Sequence, residues 1–328
     1  MQALDDHLSN AWSVISHLNG VKNSDDLRKV YKNCLEKLTE YSTEVSQNAA
    51  LCEAYKKLAA RDDFKDLSEA QRKSVENTLR DFHLGGVDLP EEQKQQYAAL
   101  SRELAELSNR FSDNVLDATQ NWYKHITDAS ELAGVPESAL DGAKQAARQK
   151  ELDGYVITLD FPSFFPVMTY CDNRDLRREV YEAFVTRASD QGPDAGTWDN
   201  TPLMAEILKR RHSLSKLLGF NNYAERSLAT KMARNTDEVL DFLNQLAAKS
   251  KPVAEQEFAE LKAFARDEYA STICRPGILA TTARNCASSA TTSPRKPCGP
   301  GSRSTRWCRA CSGWLRNCST CRLKPSQR

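Results

Sequence analysis

Histidine is scarce in this 328-residue chain, and what there is lies scattered. The five are His7, His17, His83, His125 and His212; no two stand four apart, and the nearest pair is ten apart. A hydrolytic metal site commonly takes two imidazoles one helical turn apart, with a carboxylate to activate water. No His-Glu-x-x-His occurs, so the sequence offers no catalytic residues, no cofactor-binding residues and no metal ligands of that kind. Glycine is also sparse, at 13 residues, and wrongly placed for cradling phosphate. There is no G-x-G-x-x-G, no Gly-rich loop leading into Lys and Ser or Thr, and no G-x-S-x-G elbow. Gly85-Gly86 follows a helical stretch and reads as a helix end. No apolar run approaches the roughly 20 residues needed to cross a bilayer. The start, Met1-Gln-Ala-Leu-Asp-Asp-His7, is acidic where a signal peptide is basic and then apolar. The expectation is a cytoplasmic protein with no membrane partner.

Acidic residues are absent from one end. From Cys274 onward there is no Asp or Glu, against 11 Lys or Arg. Residues 1–273 hold the other 34 basic side chains and all 45 acidic ones, a net charge of −11, so the overall zero is a cancellation. Cysteine splits the same way: Cys34, Cys52 and Cys171 precede the break and seven follow it. Two unrelated compositions share one chain.

Helical periodicity dominates residues 1–273. Pro90 suits a first helical turn, and Glu91 and Glu92 complement the positive helix start. Tyr97, Leu100, Leu104, Leu107, Phe111 and Val115 then recur at spacings of three and four. A second helix is expected from Asp172 or Asn173, burying Leu176, Val180, Tyr181 and Phe184. A third runs from about Leu203 to Leu218 and stops at Gly219. Thr236 is the expected cap of a fourth, with Val239, Leu240, Leu243 and Leu246 as its stripe. Pro252 should kink or divide that helix before Phe258, Leu261 and Phe264 resume the pattern.

The segment from Gly154 to Tyr170 departs from this rule. It is rich in β-branched and aromatic residues and punctuated by Pro162 and Pro166, which reads as one or two short edge strands with a turn. Ser189 to Asn200 reads as a turn-rich loop. The expected architecture is mainly α with a small β element near 154–170, as one continuous region over 1–270, followed by a disordered tail over 271–328. Asp62-Asp63 and Glu91-Glu92 are solvated faces and helix starts. Trp122-Tyr123 and the run Phe161 to Phe165 could line a peptide groove, but core packing is the simpler reading.

In the basic tail, Cys308-x-x-Cys311 and Cys318-x-x-Cys321 have the form of paired zinc ligands, but six residues separate the pairs, short of the usual ribbon spacing. One reading is a helical binding module whose Cys-rich tail takes zinc and nucleic acid. The other is that the tail was never selected as protein.

The segment Pro166-Val-Met-Thr-Tyr-Cys-Asp-Asn-Arg-Asp-Leu-Arg-Arg-Glu-Val-Tyr-Glu-Ala-Phe184, with Thr186 to Asn200, resembles the thimet oligopeptidase family of zinc metallopeptidases. Ser16 to Ser24, Phe111 to Thr119 and Leu218 to Met232 carry the same resemblance, which extends to about Tyr269. It implies a helical lobe of a two-lobed fold, with a deep channel that admits short peptides and excludes folded proteins. It also implies zinc in the parent family, held on a His-Glu-x-x-His helix with a downstream Glu. Those residues lie beyond the matching stretch, so none of their roles transfers here. The expectation is a metalloendopeptidase region without catalysis of its own, with short peptides as the parent's partners and neither zinc nor nucleic acid bound by this chain. The resemblance also implies a stretch before the position of Met1, so a truncated start is expected.

A shifted frame in the tail joins the third base of each codon to the first two of the next. Pro276 to Ser293 can then encode WDIGYYSEKLRQQRYNI, and Pro297 to Ser319 can encode LRAWFPVDKVVQGLFGMVEKLF. Both resemble what the family carries next, and the second restores acidic residues and an amphipathic pattern. On this reading Cys311 and Cys318 are out-of-frame by-products of Leu-Phe codons. The nucleotide sequence over codons 270–276 is expected to differ from close relatives by an inserted or deleted base. An intact frame there would remove the explanation.

Overall fold

The computed structural model describes residues 2–269, 281–283 and 285–286. The chain divides into two compact units, residues 1–256 and 257–328. In order, the elements are α1 (Gln2–Val21), α2 (Asp25–Ser46), α3 (Ala49–Ala59), α4 (Glu69–Leu84), α5 (Glu91–Asn121), β1 (Tyr123–Ile126), α6 (Glu137–Gln149), β2 (Tyr155–Thr158), α7 (Phe161–Tyr170), α8 (Arg174–Val185), α9 (Thr201–Leu217), α10 (Tyr223–Leu228) and α11 (Thr236–Tyr269). Short 3₁₀ turns lie at Asp62–Asp66 and Ala129–Leu132. The mainly helical architecture with a small β element is as the sequence implies.

Local sequence sets many of the helix starts. Ser24 accepts from Leu27 N, Asn48 from Leu51 N, and Asn222 from Glu225 N. Ser68 and Gln71 form a reciprocal capping box at the start of α4. Asn173, one of the two expected caps, accepts from the backbone N–H groups of Asp175 and Leu176. The fourth expected helix begins one residue earlier than anticipated: Asn235, not Thr236, supplies the capping oxygen, accepting from Glu238 N at 2.9 Å. Pro252 does not divide α11, which runs through it. α4 ends at Gly85, with Gly86 at φ +83, and α9 ends just before Gly219 at φ +85, as expected of left-handed caps.

The β element needs correction. β2 occupies Tyr155–Thr158, but Phe161–Tyr170 is the helix α7, not a strand. Phe164, Val167, Met168 and Cys171 recur at helical spacing and face inward; Val167 and Met168 are buried. Pro162 sits in the first turn, where its missing N–H costs nothing. Pro166 gives up one internal bond, and the buried face of the short helix offsets that loss. The partner of β2 is β1, antiparallel, with Tyr123 opposite Thr158 and Ile126 opposite Tyr155. β1 gave no sequence signal because two of its four residues are Lys124 and His125. Gly154 makes the entry to β2 possible: its φ is +81, and a Cβ there would lie 2.4 Å from the Ile126 carbonyl oxygen.

Three buried clusters hold the first unit. Around the hairpin, Ile126, Leu132, Val135, Ala143, Ile157, Val167, Cys171, Leu176 and Val180 pack together. Cys52, Phe82 and Val87 join α3 to α4. Tyr97, Leu214 and Leu218 join α5 to α9, with Leu89, Leu100, Leu104, Leu217 and Phe220 packed around them. In the second unit, Ala265, Thr281 and Thr282 are buried, and the Lys262 ammonium lies 4.4 Å from the centre of the Phe258 ring. Cys308, Cys311, Cys318 and Cys321 lie outside the described residues.

Leu132 is 1% exposed at the centre of the hairpin cluster. Leu132→Ala is expected to destabilise the chain by about 2–5 kcal/mol, read as a lower urea midpoint. An unchanged midpoint would mean the cluster does not bear on stability.

Candidate functional site

The α2–α5 pair forms a shallow groove of about 400 Å³ lined by charged side chains, among them Lys32, Glu36, Arg102, Glu106, Arg110 and Asp113. Ion pairs mark its length: Lys32 to Glu106 at 3.3 Å and Arg102 to Glu40 at 2.9 Å. At one end the Arg28 guanidinium grips the Asp117 carboxylate through two nitrogens, Nη1 donating to Oδ2 at 2.8 Å. Such forked pairs are the stronger kind of charge-assisted contact. Asp113 lies one turn before Asp117 on α5. Burial raises its carboxyl above the usual range; the nearby Arg28 opposes that rise, and Asn109 donates to it at 2.9 Å. The groove has charges of both signs, with Lys32, Glu106 and Arg102 in ion pairs.

Aromatic residues expected either in a groove or in the core divide between the two. Phe164 turns inward and stacks on Phe184 at 3.9 Å between ring centres. Arg187 lies over the Phe184 ring and donates to Thr119 Oγ1 at 2.9 Å. Trp122 packs against the hairpin cluster. Phe161 and Phe165, by contrast, are 65% and 46% exposed and stack on each other at 5.2 Å. Tyr123 is exposed too, with the Lys150 ammonium 4.3 Å from its ring centre. An apolar shelf at the start of α7 is therefore open to contact, chemically suited to side chains of an extended peptide.

The histidines are not brought together. His7 and His17 lie on α1, His83 on α4, His125 on β1 and His212 on α9. His83 Nδ1 pairs with Asp88 at 2.9 Å, and His125 Nε2 lies 2.6 Å from the Asp153 carbonyl. Among the described residues, no group of three or more His, Cys, Asp or Glu could hold a metal ion. Cys171 is fully buried, and burial raises its thiol pKa, which keeps it protonated and unreactive. No helix among the described residues is long and apolar enough to cross a membrane.

The arrangement is thus a helical scaffold with an apolar shelf. Comparison with known proteins supplies its class. Residues 1–94 match the Neurolysin/Thimet oligopeptidase N-terminal domain, and residues 167–276 match Peptidase family M3. The chain thus carries sequence of two domains of this kind, one near its start and one over residues 167–276. It is 56% identical over 265 residues to oligopeptidase A of Salmonella typhimurium, covering 81% of this chain and 39% of that protein. Escherichia coli oligopeptidase A is 55% identical over 266 residues, with the same coverage of each. A probable cytosolic oligopeptidase A of Arabidopsis thaliana is 37% identical over 278 residues, 83% of this chain and 39% of its own. The chain spans about two fifths of the length of these relatives.

Because burial raises the Asp113 pKa, the folded state favours its protonated form. That contribution is present at low pH and is lost as pH rises through the raised value. Asp113→Asn is therefore expected to be the more stable protein at neutral pH, with the advantage shrinking as pH falls. Urea midpoints of both proteins across the acidic range check this. A difference that does not vary with pH would exclude the mechanism.

Proposed function

We propose that this chain carries the amino-terminal helical region of a cytoplasmic zinc metallo-oligopeptidase of the oligopeptidase A type, and that the 328-residue polypeptide by itself does not cleave peptides. The whole protein hydrolyses peptide bonds in short peptides; this region contributes one wall of the channel that admits them. The observation that carries the reading is identity of 54–56% to three bacterial oligopeptidases A over 81–83% of the chain. The open shelf of Phe161 and Phe165 is in keeping with a wall that touches extended peptide. For the compartment, one relative has a cytosolic name.

The donor set supports the proposed inactivity. Catalysis in this family needs zinc, which when bound supplies an activated water. Two imidazoles one helical turn apart do not occur in the sequence, and the histidines of the described residues lie on four separate elements. These residues do not fit a catalytic zinc. The shifted-frame account of the tail belongs to the same proposal. Residues 1–270 are family sequence, and 271–328 are an out-of-frame continuation. The family match ends at residue 276, beside the loss of acidic residues at Cys274.

The pure chain is expected to release no fluorescence from a quenched short peptide, with or without added zinc. It should also keep less than stoichiometric zinc after dialysis. Turnover abolished by a chelator would overturn the proposal. Tight zinc that is lost in Cys308→Ser and Cys311→Ser would instead favour the binding-module reading of the tail.

A further inference from the structure

Of the 13 glycines, three follow Asn or Asp: Asn19-Gly20, Asp141-Gly142 and Asp153-Gly154. Such pairs share an intramolecular reaction. The glycine nitrogen lies close enough to attack the preceding side-chain carbonyl carbon through a five-membered ring. Glycine, with no Cβ, leaves that nitrogen unhindered and lets the peptide plane turn. By residue type Asn19 would react first, because an amide is a better electrophile than a carboxylate.

The fold reverses that order. Asn19 and Gly20 lie within α1, and Asn19 is 8% exposed. Gly142 lies inside α6, where its N–H is committed to a carbonyl one turn back. A helix holds both peptide planes against the rotation that ring closure needs. Asp153 and Gly154 lie in neither helix nor strand, in the turn between α6 and β2, and Asp153 is exposed. Nor can this turn discard its glycine. Gly154 has φ +81, and any Cβ there would meet the Ile126 carbonyl oxygen at 2.4 Å. The strand entry therefore demands the residue that makes Asp153 reactive.

We propose that Asp153 is a site of spontaneous covalent modification, converting to isoaspartate. The Gly154 nitrogen bonds to the Asp153 side-chain carbonyl carbon; its proton and the carboxyl hydroxyl leave together as water. Water then adds at the Asp153 backbone carbonyl carbon and breaks its bond to the Gly154 nitrogen. The main chain now runs through the side chain, and the former backbone carbonyl is a free carboxylate. Water lost in the first step is regained in the second, so no other reagent is needed.

The consequence falls on the hairpin. The carbonyl oxygen converted is the one that His125 Nε2 faces at 2.6 Å, and the main chain gains one methylene just before β2. Val156 and Ile157 are 0% and 3% exposed and hold β2 in its register. The added length is therefore taken up where the strand begins, at the Tyr155–Ile126 pair.

The test is tryptic mapping of the full chain after ageing in warm neutral buffer. Asp153 falls in the peptide 151–174 and Asp141 in the peptide 125–144. The first is expected to split into two chromatographic species of equal mass, at least about tenfold faster than the second. In urea the two peptides should isomerise at similar rates, because the helix that protects Asp141 is gone. Asp153→Ser should remove the extra species. Asp153→Asn, which keeps the side chain's size, should convert faster than wild type and show the mass gain of deamidation. A 151–174 peptide that stays single in the aged native chain, equal rates in the two native peptides, or an extra species that survives Asp153→Ser would each overturn the proposal.

Discussion

The first unit is organised by one helix packed on two sides. α5 is 31 residues long, and its two neighbours hold it by different physics. Toward α9 the contact is apolar, with Tyr97, Leu100 and Leu104 against Leu214, Leu217 and Leu218. Toward α2 it is electrostatic, with Arg28, Lys32 and Glu40 against Asp117, Glu106 and Arg102. The apolar side supplies most of the free energy, since the exposed Lys32–Glu106 and Arg102–Glu40 pairs contribute about 0–1 kcal/mol each, and only the half-buried Arg28–Asp117 fork is of the stronger kind. The charged side chiefly sets which way α2 lies.

Asn200 joins this spine to the rest. It is 1% exposed at the end of the turn-rich loop, accepts from Asn114 Nδ2 at 2.9 Å and donates to the Phe111 carbonyl at 3.1 Å. A buried amide is costly unless its groups are paired, and here the partners come from α5. The loop from Ser189 is thereby tied to α5 just where α9 begins. Arg177 is 5% exposed and donates to the Cys171 carbonyl, joining the end of α7 to α8. Two buried polar side chains, Asn200 in a loop and Arg177 on α8, fix how successive helices meet.

How much was legible depended on how local the cause was. The stripe from Tyr97 was readable because each residue repeats the same argument at 3.6-residue spacing. Asn173 and Gly219 were readable because caps act within one turn. α7 was misread because Phe161 to Tyr170 has the composition of a strand, and its helical spacing is sparse: Phe164, Val167, Met168 and Cys171. What decides it is the hairpin core on which Val167 and Cys171 close. β1 was missed because a strand with Lys124 and His125 at its centre is made by its partner, not by its own propensity. The candidate shelf was half legible. Composition named the aromatics, but only packing separated Phe164, turned in, from Phe161 and Phe165, turned out.

By itself the sequence determined the helical class, the helix ends near Gly85, Pro90, Asn173 and Gly219, the break in composition near Cys274 and the lack of paired imidazoles, since each is a matter of residue type and short spacing. The tertiary structure decided which apolar faces are covered. Helical periodicity is equally strong in α5 and α11, yet Leu104 is packed against α9 while Leu240, Leu243 and Leu246 stay in water. A stripe records only that a helix has an apolar side; whether anything lies against it depends on residues far away in the chain.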